Sequence, residues 1–151
     1  MGKRIKGKKK PKRNIKINTK KEARGGKKFE KESERNRKIS WQFSIMDIKA
    51  KWTTKDIEKD FFWKSMFGKI KSYESQTLAE FNIPQHNHRI PKSNICTEAR
   101  NRLIEINQDD VDELYSIDFN SSKRLWGILD GTVYKILWWD PNHEICLSKK
   151  R

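Results

Sequence analysis

From residue 39 onward, apolar and polar positions fall into two periods. Ile39, Trp41, Phe43 and Ile45 alternate with Ser40, Gln42 and Ser44, a period of two that predicts a half-buried strand. Ile57, Phe61, Phe62, Met66, Phe67 and Ile70 then recur at helical spacing. Thr53-Thr54 and Asp56 ahead of them read as a hydroxyl cap and a first-turn acid. Gly68 weakens the last turns by roughly 1 kcal/mol relative to alanine. A short helical piece is predicted around Thr77–Phe81, followed by a loop over Asn82–Pro91. Ser93 can cap a second clear helix, with Ile95, Ala99, Leu103 and Ile106 as its buried stripe.

After Glu113 the period is two for the rest of the chain. Tyr115, Ile117 and Phe119 alternate with Ser116 and Asp118, and Asn120-Ser121-Ser122 turns the chain. Lys123–Leu129 is a strand, Asp130-Gly131 the two-residue loop of a type I′ hairpin, and Thr132–Trp139 an inner strand apolar on both faces. Asp140-Pro141-Asn142-His143 turns again, and Glu144–Leu147 is expected to pair as a short last strand. The predicted fold is α+β: an N-terminal strand, then two to three helices on one face of an antiparallel three- to four-stranded sheet.

Charge divides the chain in two. Residues 1–40 carry 18 basic and 4 acidic side chains, a net of +14, whereas residues 41–151 carry 17 and 16, a net of +1. Residues 1–38 read as a disordered basic arm and residues 39–151 as a single domain, because the arm has too little apolar surface to repay its ordering entropy. A cationic arm gains affinity for polyanions by releasing counterions. Lys8, Lys9, Lys10, Lys12 and Arg13 are thus candidate contacts to RNA or to the ribosome surface, although the same run also fits a localisation signal or a solubilising tail. No apolar run approaches membrane-spanning length, and no apolar segment follows the basic start, so neither a membrane span nor a secretory leader is expected. Cys96 and Cys146 sit among apolar neighbours outside any CxxC pair. They read as reduced, buried thiols in a cytoplasmic protein. No glycine-rich phosphate loop and no GxSxG turn is present, and no cofactor or metal is expected.

Arg124-Leu125-Trp126-Gly127-Ile128, followed by Val133-Tyr134-Lys135-Ile136-Leu137-Trp138-Trp139-Asp140-Pro141-Asn142-His143, resembles the C-terminal half of a family of small, uncharacterised bacterial and mobile-element proteins. The order of elements is similar to that of the RelE/ParE toxin superfamily, whose nuclease members cut messenger RNA, usually on the ribosome. That resemblance implies an RNA-directed, toxin-like endoribonuclease working without a metal, with a small antitoxin as partner. The chain departs from several of those nucleases by ending in Ser148-Lys149-Lys150-Arg151 rather than in Tyr or His-Tyr. A non-catalytic nucleic-acid- or partner-binding module on the same fold is the alternative.

The candidate catalytic residues are Arg124, Lys135 and His143. Arg124 matches the Arg that opens the toxins' hairpin strand; it can hold a phosphate or lie over Trp126 as a cation–π pair. A loop at Asp130-Gly131 pairs Leu129 with Thr132, which places Trp126 opposite Lys135 and Arg124 opposite Leu137. Arg124 and Lys135 then flank Trp126, giving two cations around an RNA-binding aromatic platform. His143, an imidazole just past a turn, suits an acid or base, or simply a turn. Asp140 reads as a turn residue accepting backbone hydrogen bonds. Trp138 and Trp139 should point to opposite faces, one into the core and one free to stack on a base. His86 and His88, between Pro84 and Pro91, read as a solvated loop, from which His88 and Arg89 can line the site.

Removing Met1–Lys38 is expected to leave a folded domain with weak nonspecific RNA affinity and a shallower salt dependence. Titration of an unrelated RNA at two salt concentrations measures this, and an unchanged slope refutes it.

Overall fold

A computed structural model of the chain describes residues 36–83 and 86–147. Among these residues five strands form one sheet: β1 (Ser40–Gln42), β2 (Asn87–Pro91), β3 (Glu113–Asp118), β4 (Arg124–Asp130) and β5 (Val133–Asp140), in the spatial order β1-β5-β4-β3-β2. Helix α1 spans 59–73, with α-helical turns at Lys59–Phe61 and Phe67–Tyr73 and a π segment, Phe62–Met66, between them. Helix α2 is Leu78–Phe81 and α3 is Thr97–Glu105. The class is α+β, as expected, and β5 is an inner strand between β1 and β4. Among the described residues, no helix is long and apolar enough to cross a membrane.

The helices lie on both faces of the sheet, not one. One core holds Met66, Tyr73 and Phe81 from α1 and α2 against Tyr115, Ile117, Leu125, Tyr134, Ile136 and Trp139. The other holds Ala99 and Leu103 from α3 against Leu114, Trp126, Leu137 and Trp138. The cause is visible in the strands: Leu114-Tyr115, Leu125-Trp126 and Trp138-Trp139 put a large apolar group on each face. A sheet greasy on both sides needs two covers.

Other expectations are corrected by local causes. The sheet is mixed, because β1 runs parallel to β5 with Ser40 opposite Val133; no hairpin joins these distant segments to force an antiparallel pair. The loop predicted over Asn82–Pro91 contains an edge strand, β2, antiparallel to β3. Glu144–Leu147 forms no strand. Its backbone is diverted where the Asp140 carboxylate accepts N–H bonds from Asn142, Glu144 and Ile145 at 2.9–3.3 Å. Thr53 caps only a 3₁₀ turn, Thr54–Asp56, and Ile57 and Glu58 are extended before α1 begins. Ser93 lies in another 3₁₀ turn, Lys92–Asn94, so Cys96 rather than Ser93 precedes α3. The short helix falls where predicted, closed by a reciprocal capping box between Thr77 and Glu80. The start of the described chain is already tied in: the Leu78 N–H donates to the Arg37 carbonyl at 3.3 Å, and Lys38 bridges Thr77. A truncation that spares the fold therefore stops before Asn36.

The hairpin loop is one residue later than predicted. Asp130 pairs with Val133 and Ile128 with Lys135. The loop is Gly131-Thr132, and of its two residues only Gly131 has positive φ, at 58°, the pattern of a II′ rather than a I′ turn. A second irregularity falls between Trp126 and Gly127, beyond which Trp126 faces Trp138 and Arg124 faces Asp140. Leu137 is the extra residue, so Leu137 and Trp138 both enter the α3-side core. Gly127 sits beside this bulge because the Tyr134 ring crosses it; an added Cβ would lie 2.6 Å from that ring and against the Lys135 carbonyl. The Tyr134 hydroxyl is fixed there, 2.9 and 3.0 Å from the carbonyls of Tyr115 and Leu125.

Asp47 locks the α3-side core. Its carboxylate takes two bonds from the Arg102 guanidinium, at 2.7 and 2.8 Å, one from Trp138 Nε1 at 3.1 Å, and the N–H groups of Lys49 and Ala50 at 3.1 Å. The Arg102 bonds, opposed by burial and aided by Trp138, lower its pKa from 3.8 to about 2. A depressed carboxylate adds stability that is complete above its unfolded pKa and lost as pH falls through the folded one.

Two predictions follow from this packing. Gly127→Ala should destabilise the domain by roughly 2–3 kcal/mol, through overpacking against Tyr134; an unchanged urea midpoint would exclude the close approach. Asp47→Asn should cost about 2 kcal/mol at neutral pH, the equivalent of the pKa depression. The gap between parent and variant in urea titrations should narrow as pH falls from 4 toward 2. A gap constant across that range contradicts the ionised network.

Candidate functional site

The chain has three histidines, His86, His88 and His143, and the fold brings all three to the end of the sheet occupied by Asp118 and Arg124. Strand β2 places His88 opposite Ser116. On β3 and β4, Asp118 faces Arg124, with Arg124 Nη1 2.7 Å from the Asp118 carboxylate. His86 Nδ1 lies 4.0 Å from the other Asp118 oxygen. His143 arrives from the turn after β5, whose geometry Asp140 sets through its three N–H bonds. Glu144 anchors the same turn, accepting from Trp52 Nε1 at 3.2 Å and pairing with Lys51 at 2.9 Å. His143 is held at φ 57°, a left-handed conformation that few non-glycine residues adopt.

The electrostatics single out His88. Burial holds its imidazole below the ordinary 6.5; the positive charge of Arg124 acts in the same direction, Asp118 opposes it, and His143 adds a further lowering. His88 is therefore neutral at physiological pH and able to accept a proton. Its Nδ1 is enclosed with no hydrogen-bond partner among the described residues, so no described protein group locks the ring into one tautomer. Lys69 borders the cluster from α1: its ammonium donates to the Asp118 carbonyl and lies 5.1 Å from the centre of the Phe119 ring. Burial lowers its pKa.

The predicted residues separate. Arg124 and His143 both lie at this end of the sheet, but Lys135 does not join them. It lies opposite Ile128 and pairs with Asp130 at 2.8 Å, four residues along β4 from Arg124, or about 13 Å. Trp126 is fully buried in the α3-side core, so its ring offers no face to a base, and the platform flanked by Arg124 and Lys135 is not formed. Arg124 shares the Trp126 face as parity required, yet it is a fastening. Besides Asp118 it donates to the carbonyls of Asn120, Lys123 and Ser121 and so closes the turn between β3 and β4. Asp140 is the turn residue expected. Trp138 and Trp139 do point to opposite faces, and both are buried. Lys8, Lys9, Lys10, Lys12 and Arg13 lie outside the described residues.

Sequence reading placed His86 and His88 in a solvated loop and gave Asp118 no chemical role. The available signal was that Asn87, His88, Arg89 and Ile90 precede Pro91, a residue at home at the end of an edge strand. Among the described residues, no group of three or more His, Cys, Asp or Glu side chains is placed to hold a metal ion. Both cysteines are free thiols, and burial pushes the Cys146 thiol up, away from the reactive thiolate. In comparison with known proteins, no protein family, no curated protein and no solved structure matches the chain.

Proposed function

We propose that this chain is an RNA-directed, toxin-like protein that cleaves RNA by general acid–base catalysis at the histidine end of its sheet. The observation that carries the reading is His88, its Nδ1 enclosed without a partner among the described residues, at the end of the sheet that holds His143 and the Asp118–Arg124 pair. RNA contains its own nucleophile, so the protein need supply only proton transfers and charge stabilisation. His88 takes the proton of a 2′-hydroxyl as that oxygen attacks the adjacent phosphorus. The bond from phosphorus to the 5′ oxygen breaks, and that oxygen receives a proton from His143. The products are a 2′,3′-cyclic phosphate and a 5′-hydroxyl. Asp118, fixed by Arg124 and facing His86, is a positioning group, and Lys69 and Lys123 supply positive charge at the turn. The +14 of residues 1–40 draws the protein to RNA. Messenger RNA on the ribosome is the proposed substrate and a small antitoxin the proposed partner, in the cytoplasm. The strand–helix–meander order supports kinship with RelE/ParE toxins, from which α3 on the second face is a departure.

A second reading, a nucleic-acid-binding module without catalysis, is favoured by one observation: the Arg124 guanidinium is occupied by Asp118 and the turn carbonyls. Cleavage assays on messenger RNA, with and without ribosomes, decide between the two. The parent and Lys135→Ala should cleave, whereas His88→Gln and His143→Gln should each lose 10²-fold or more. The parent's ascending limb should lie below pH 6.5, because the folded His88 pKa is lowered, and should disappear in His88→Gln. RNA retention without product in the parent would establish the binding module.

A further inference from the structure

Helix α1 buries one face and leaves an aromatic one in solvent. Trp63 is 60% exposed and Phe67 43% exposed, with ring centroids 5.3 Å apart. Phe62 completes the group at 5.0 Å from Trp63 and 5.9 Å from Phe67. A π segment underlies the group: the Phe67 N–H bonds to the Phe62 carbonyl, five residues back. A helix of purely α turns spaces its residues differently, and single π turns are frequent at functional sites. Lys59 and Lys71 are exposed at either end of the pair. Lys59, Trp63, Phe67 and Lys71 thus recur every four residues along one side of the helix.

We propose that this stripe is a docking track for single-stranded nucleic acid, with bases stacked on Trp63 and Phe67 and phosphates held by Lys59 and Lys71. The proposal rests on the RNA-directed reading above and names where that RNA is held. Three features choose this occupant. Residues 59–73 carry four lysines against one acid, Asp60, which Lys64 neutralises at 2.9 Å; Glu58 and Glu74 stand beyond the two ends, and the charges that flank the exposed rings in the four-residue repeat are Lys59 and Lys71. Alternating flat rings and cations is the chemistry that holds unpaired bases without sequence preference. The track is also continuous with the other basic parts of the chain. The arm joins the fold where Arg37 meets Leu78, just beyond the α1 C-terminus. Toward the histidine end, Lys69 binds the Asp118 carbonyl and Lys123 lies 4.1 Å from the centre of the Phe61 ring.

The test uses the full chain, a fluorescent oligouridine and a duplex RNA of equal length. Trp63→Ala/Phe67→Ala should bind oligouridine about tenfold more weakly, with duplex affinity changed less than twofold, because paired bases are not free to stack. Trp63→Tyr should keep most of the parent's affinity. The thermal midpoint should be unchanged for Trp63→Ala alone, which tests the same stripe if the double variant is unstable. Undiminished oligouridine binding by the folded variants overturns the proposal, as does an equal loss on both RNAs. Self-association of the parent that disappears in the double variant also overturns it, assigning the stripe to a second copy of the chain. A parent that binds neither RNA defeats the RNA-directed reading itself; a parent that binds both, with variants unaltered, defeats only the stripe.

Discussion

The α3 side of the domain depends on one buried carboxylate. Asp47 lies in the irregular segment after β1 and receives five hydrogen bonds from three places: its own loop, Arg102 on α3 and Trp138 on β5. An ionised carboxylate enclosed by protein is costly unless its acceptor sites are filled, and here they are. The same segment lies along the β5 edge, with the Asp47 N–H on the Leu137 carbonyl at 3.1 Å and the Trp139 N–H on the Trp52 carbonyl at 2.8 Å. A strand edge that three-residue β1 cannot cover is thereby paired, and α3 is held against the face that its short apolar stripe alone would grip weakly. An amide in its place keeps one acceptor oxygen and sets its NH₂ against a group of donors from Arg102, Trp138 and the loop.

What was legible in the sequence was whatever depends on neighbours in the chain. The period of two from Glu113 through β5, the inner position of β5, most of the α1 stripe through Ile70 and the short helix at Thr77–Phe81 are all local, and all appear, although Ile57 falls before α1 and Phe67 faces solvent. The turn after Asp140 was readable for the same reason: an aspartate two to five residues before free N–H groups will bind them. The hairpin erred by one residue, since Asp130-Gly131 signals a I′ loop by composition, whereas the structure needs positive φ at Gly131 and carries Asp130 as the last strand residue. One residue of slip changes every partner. Lys135 therefore faces Ile128 rather than Trp126, and the proposed platform disappears with the register.

Strand β2, and the identity of the helix that covers the second apolar face of the sheet, were illegible for a different reason. Whether Trp126 is covered depends on where α3 packs, and α3 is placed by Asp47, fifty-five residues from Arg102. Strand β2 has no apolar alternation to announce it. Its inward residue on the α1 side is Asn87, buried because its side chain bridges the Tyr73 hydroxyl and the Phe81 carbonyl at 3.3 and 3.1 Å. A strand whose burial is satisfied by an amide looks polar in sequence. The histidine cluster inherits that invisibility: His88 stands on a strand no periodicity reveals, and His143 reaches it across a sheet whose order is not the order of the chain.

The site and the aromatic stripe lie on opposite sides of one turn, and that turn connects them. Within Asp118–Lys123, the Asp118 side chain looks toward the histidines while its carbonyl receives Lys69 from α1. Phe119 packs on Phe61 and Trp139 at 6.3 and 5.9 Å, and Lys123 covers Phe61 from outside. Arg124 staples the turn shut from the other direction. A displacement of α1 would thus be felt at the Asp118 carbonyl, and through the Asp118 carboxylate at Arg124 and His86. Arg124, for which the sequence leaves phosphate clamp and packing residue both open, is the fastening of the turn that joins the α1 side of the domain to the histidine end.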